Sequence, residues 1–81
     1  MSEVDSWEKV TYITFNNVTG ETKIYAKGKL VAEKTLDGVI STRPTQASSE
    51  RSEDKLIRFM FQNAYAYIYN NTLMVEERRE N

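Results

Sequence analysis

Tyr65, Tyr67 and Tyr69 occupy every second position of Ala64-Tyr65-Ala66-Tyr67-Ile68-Tyr69, and their types and spacing suit recognition chemistry. On a strand, successive side chains alternate, so the three tyrosines share one face and Ala64, Ala66 and Ile68 the other. A tyrosine face offers broad apolar contact ending in polar tips, a composition found at protein interfaces and at sugar-stacking sites. The same spacing also suits cross-strand packing within a sheet. Packing, a protein interface and glycan stacking therefore all stand as readings. Trp7 leads the first apolar segment and reads as a core or lid residue, with a ligand platform as its alternative. Phe59, Met60 and Phe61 read as core, with an adaptable methionine contact second.

Groups for covalent or acid–base chemistry are scarce. The chain has no cysteine and no histidine. It therefore lacks disulfides, thiolate ligands, the commonest transition-metal ligand and the commonest general base. Glu76, Glu77 and Glu80 interleave with Arg78 and Arg79 and read as a solvated helix end or fray. Glycoside hydrolysis needs two carboxyls facing each other across a sugar, and no spacing here sets up such a pair. Glu50, Glu53 and Asp54 lack the spacing and glycine of a calcium loop. Arg43, Arg51, Lys55 and Arg58 are cations that phosphate could engage, and they read better as a solvated rim. Asn17-Val18-Thr19 and Asn70-Asn71-Thr72 match the glycosylation sequon, which matters only in a secreted protein. There is no phosphate-binding glycine loop, dinucleotide fingerprint or nucleophile–base pair. The expectation is a protein that is not an enzyme, with no catalytic residue, no metal and no cofactor.

Eleven basic against twelve acidic residues give a net charge of −1. That balance excludes a broad electrostatic footprint for nucleic acid and a phosphate-mimicking acidic surface. No apolar run approaches the roughly 20 residues that span a bilayer. The opening Met1-Ser2-Glu3-Val4-Asp5-Ser6 is acidic and polar, unlike a secretory signal. A chain kept in the cytoplasm, or built from there into a particle, is expected. At 81 residues a domain buries only about 60% of its unfolded surface. With no disulfide to compensate, self-association is the expected stabilising device.

The elements that must position these side chains read mostly as strands. Val10-Thr11-Tyr12-Ile13-Thr14-Phe15 is dense in β-branched and aromatic residues, and Asn16-Asn17-Val18-Thr19-Gly20 supplies a turn. Residues 22–27 alternate, with Thr22, Ile24 and Ala26 on one face. Gly28 allows a second turn, Leu30 to Leu36 a third strand, and Asp37-Gly38 a turn into Val39-Ile40. Residues 41–54 hold the only proline and almost nothing apolar, and read as a long polar loop. Further on two periods compete. Leu56, Met60, Asn63 and Tyr67 form a helical stripe behind acidic residues, while Ile57, Phe59 and Phe61 alternate as in a strand. Strands are the preferred reading, with Asn70-Asn71 turning into Thr72-Leu73-Met74-Val75. The expected fold is mainly β, a small antiparallel β-sandwich of six or seven strands. Its alternative is α+β with one helix near residues 50–63. One β domain is expected over 7–77, with 1–6 a disordered tail and 78–81 a frayed C-terminus.

Two stretches resemble a known family. Trp7-Glu8-Lys9-Val10-Thr11-Tyr12, then Thr19-Gly20-Glu21-Thr22-Lys23-Ile24-Tyr25 and Gly28-Lys29-Leu30-Val31, resemble the laminin-G/concanavalin-A-like jelly roll. Ile68-Tyr69-Asn70-Asn71-Thr72-Leu73 followed by Glu76-Glu77 is similar to that family's closing strand. The resemblance covers residues 7–36 and 64–77 and corresponds to the C-terminal half of such a domain. It implies a half jelly roll with the tyrosine face pointing away from the core. Half a sandwich leaves an apolar face or an unpaired edge, which self-association or a larger protein must cover. Ala64 and Tyr65 stand where the family carries acidic residues, so neither its calcium ligands nor its sugar site transfers here. The leading expectation is a non-enzymatic structural or interaction module, a homo-oligomer or a small subunit of a larger assembly, for which a phage or viral particle is a suitable context. A carbohydrate-binding module is the second, and a small inhibitor that blocks a host or competitor enzyme is the third.

Overall fold

The computed structural model describes residues 7–51 and 56–78, the side chains of 49–51 excepted. Its regular elements are β1 (Tyr12–Phe15), β2 (Thr22–Ala26), β3 (Lys29–Lys34), β4 (Val39–Ser41), β5 (Gln46–Arg51), β6 (Leu56–Met60), β7 (Ala64–Tyr69) and β8 (Thr72–Glu77). They form two four-stranded antiparallel sheets, ordered β1-β2-β3-β4 and β5-β6-β7-β8. The two sheets share one core and make a small, mainly β sandwich. Every sheet neighbour is also a neighbour in sequence, so each pairing closes only a short loop at low entropic cost. No helix of the described residues is long and apolar enough to cross a membrane.

Turn chemistry sets the registers. Lys27 and Gly28 both take positive φ, 53° and 78°, and so do Asn70 and Asn71, at 49° and 55°. Two consecutive left-handed residues make the type I′ turn, whose twist matches that of the flanking strands. The β1–β2 connection closes differently, with the Gly20 N–H donating to the Asn16 carbonyl at 2.7 Å. Between β2 and β3 the register shifts, Ile24 facing Ala32 and Tyr25 facing Leu30. This bulge lets the consecutive residues Val31 and Ala32 both bury. Ile24, Val31, Phe59, Phe61 and Ile68 are the largest apolar side chains wholly inside.

Several expectations differ from the structure, the first being the strand count, eight among the described residues where six or seven were expected. The polar stretch 41–54 is not all loop, because Gln46–Arg51 pairs with β6 as a strand. A polar sequence suits an edge strand with a wet face, and its one apolar residue, Ala47, packs on the core. The helical alternative over 50–63 is not adopted where residues are described. Ile57 and Phe59 turn inward while Arg58 and Met60 stay half-buried on the other side, the two-residue period of a strand. The expected tail 1–6, the end 79–81, and the side chains of Glu50, Arg51, Glu53, Asp54, Lys55 and Glu80 lie outside the described residues.

Candidate functional site

The tyrosines of β7 lie on the outer face of the second sheet. Ala64, Ala66 and Ile68 are buried, Tyr65 and Tyr67 half-buried and Tyr69 exposed. Strand pairing surrounds them: Tyr65 lies between Met60 and Glu76, and Tyr67 between Arg58 and Met74. The Tyr65 and Tyr67 ring centroids are 6.2 Å apart with planes inclined at 33°, within the range of attractive aromatic pairs. Cross-strand packing and an outward-facing surface are therefore both realised in the same side chains.

Trp7 reaches this face through the segment before β1. The Gln62 N–H donates to the Glu8 carbonyl at 3.1 Å. Asn63 then imitates a strand partner: its Oδ1 accepts from the Val10 N–H at 2.9 Å and its Nδ2 donates to the Val10 carbonyl at 3.2 Å. An ion pair between Arg43 and Glu8 at 3.4 Å ties the same segment to the β4–β5 connection. So anchored, the half-buried Trp7 ring lies 4.5 Å from the Arg78 guanidinium carbon, which is also 5.5 Å from the Tyr65 ring centroid. Both distances are in cation–π range. The Arg78 guanidinium thus lies against the Trp7 ring and beside Tyr65.

Arg78 differs from the frayed residue expected of that position. Its N–H donates to the Asn63 carbonyl at 2.9 Å and its guanidinium to the Phe61 carbonyl at 2.8 Å. Glu76 and Glu77 also depart from the expected helix end or fray, since both belong to β8. As consecutive strand residues they point to opposite faces, Glu76 beside Tyr65 and Glu77 beside Ala64. They do not face each other as an acid pair.

β8, expected over residues 72–75, extends to Glu77, and what the sequence did not reveal is its exposure. It pairs with β7 along six residues, yet Met74 is 53% exposed on the outer face and Val75 55% on the inner face. Tyr69, 41% exposed, sits at the adjoining end of β7. A cleft of about 450 Å³ also opens at the other side of the sandwich, between the β3–β4 hairpin and β5–β6, with Lys34, Val39, Ala47 and Ile57 in its wall. No family model, curated protein or solved structure matches this chain.

Proposed function

We propose that this chain is a non-enzymatic interaction module that works as a homo-oligomer or as a small subunit of a larger assembly. The observation that carries the reading is β8, an edge strand with exposed apolar side chains on both faces. Scattered surface apolar residues are ordinary, whereas a contiguous apolar group on an unpaired edge is a template for another chain. Tyr67 and Tyr69 extend that surface across β7 and add polar tips. The deciding experiment is light scattering over a range of concentrations. A multiple of the chain mass that Val75→Lys abolishes supports the proposal. A folded monomer throughout, with no protein partner retained, overturns it.

A carbohydrate-binding module is the second reading, favoured by the side-by-side rings of Tyr65 and Tyr67. Sugar stacking needs open ring faces, and the Arg78 guanidinium lies against the rings of Trp7 and Tyr65. That leaves Tyr67 and Tyr69 as the freer platform. Binding of the wild-type chain to a glycan array, lost in Tyr67→Ala, would favour this reading over the first.

A further inference from the structure

The geometry points to a specific self-pairing: β8 of one copy aligns antiparallel with β8 of a second copy about a two-fold axis through Met74. The inference rests on the self-association reading above and adds its register. The Asn70-Asn71 type I′ turn directs the Thr72 N–H back to β7. The Arg78 N–H, six residues on, points the same way, to the Asn63 carbonyl. Backbone groups alternate along a strand, so those of Leu73, Val75 and Glu77 face the open edge. Two copies centred on Met74 would set Leu73 of each against Val75 of the other as hydrogen-bonded pairs. Met74 would meet its own copy in a close non-hydrogen-bonded pair.

Side-chain chemistry selects this register. To keep the inner faces of both sheets on one side, a two-fold axis must pass through a residue. Centred on Met74, apolar residues meet apolar ones, Glu76 faces Thr72, and Glu77 faces Asn71. Centred on Val75, Met74 would face Glu76 and Leu73 would face Glu77. Centred on Glu76, the two glutamates would oppose each other, which is destabilising. The remaining edges are poorer. β4 has three residues, β1 has four, and β5 begins Gln46-Ala47-Ser48. The result would be one continuous eight-stranded outer sheet carrying the tyrosines of both copies on a single face.

The chain has no cysteine, so engineered thiols report the register without background. Non-hydrogen-bonded pairs bring Cα atoms to about 4.5 Å, within the roughly 4.4–6.8 Å that a disulfide bridges. Under mild oxidation Met74→Cys should form a disulfide dimer. Pairing raises the local thiol concentration, so it should do so about tenfold or more faster than Thr72→Cys or Glu76→Cys alone. A mixture of Thr72→Cys and Glu76→Cys should give the mixed dimer above its statistical share. Met74 is half exposed, so the variant tests pairing rather than folding. A dimer by light scattering whose Met74→Cys crosslinks no faster than the other two overturns the register and leaves self-association standing. A monomer at every concentration removes both.

Discussion

The β2–β3 and β7–β8 hairpins are built alike and end differently. Each turns through two consecutive residues of positive φ, Lys27-Gly28 in one and Asn70-Asn71 in the other. Each pairs two antiparallel strands. Yet β2 and β3 bury Ile24, Ala26, Val31 and Ala32, whereas β7 buries three residues and β8 buries none. Position in the sheet makes the difference. β2 and β3 are central, flanked by β1 and β4, while β8 is an edge. Local pattern makes a hairpin, but only coverage by a second layer makes both of its strands core.

The strongest break in that comparison comes from truncating one residue of each hairpin. Ile24→Ala should cost about 2–5 kcal/mol, as other buried aliphatic truncations do. Val75→Ala in the isolated chain should stay within about 0.5 kcal/mol, the usual range for surface changes. Urea unfolding of the two variants side by side measures both. Comparable losses would mean that β8 is covered after all.

Next in size is the contact that joins the first hairpin turn to the last. Gly20 is buried with φ +81°, and a Cβ added there would collide with the Asn71 side chain. Asn71 in turn donates from Nδ2 to the Val18 carbonyl at 3.1 Å. Gly20→Ala should therefore destabilise by more than the roughly 1 kcal/mol that a compatible Gly→Ala change would gain. It should lower the melting temperature by at least about 4–8 °C. Gly28→Ala has the same sign of φ but open space, so it should cost less. Equal losses would assign the whole effect to backbone strain.

Tyr67→Ala sharpens the edge side of the comparison. Its ring is half-buried between Arg58 and Met74. An interface role predicts a smaller solution mass at fixed concentration with little change in melting. Unchanged mass with lowered melting would assign Tyr67 to packing alone.

The smallest expected effect is a gain. Lys27 holds φ 53° without the local hydrogen-bonding side chain that makes Asn tolerant of that region. Lys27→Asn creates the Asn-Gly pair that type I′ turns favour. It should raise stability by up to about 1 kcal/mol, read as a higher urea midpoint at unchanged slope. A loss would show that the Lys27 side chain makes a contact outweighing its backbone strain.

Much of the fold was legible in the residues because strand chemistry is local. Alternation placed Thr22, Ile24 and Ala26 on one face, which the structure buries, and Asn or Gly at the turns announced the hairpins. Alternation set Ala64, Ala66 and Ile68 of β7 on one face and the tyrosines on the other, and packing decided that the first of these is the buried one. Other features were hidden because their partners are distant in sequence. The polar stretch Gln46–Arg51 became a strand through the edge β6 offered it. Arg78 became ordered through Asn63, Phe61 and Trp7, residues brought together only when the N-terminal segment crosses the β6–β7 turn.

The sequence by itself thus determined the strand class, the hairpin turns, which side chains share a face and the scarcity of reactive groups, since each follows from residue type and a period of two. Tertiary structure alone decided which strands would be central and which would remain edges. It also brought Trp7 to Arg78 and Tyr65, and left Met74 and Val75 uncovered. Burial depends on what the opposite sheet reaches, which the two-residue period of β8 does not encode.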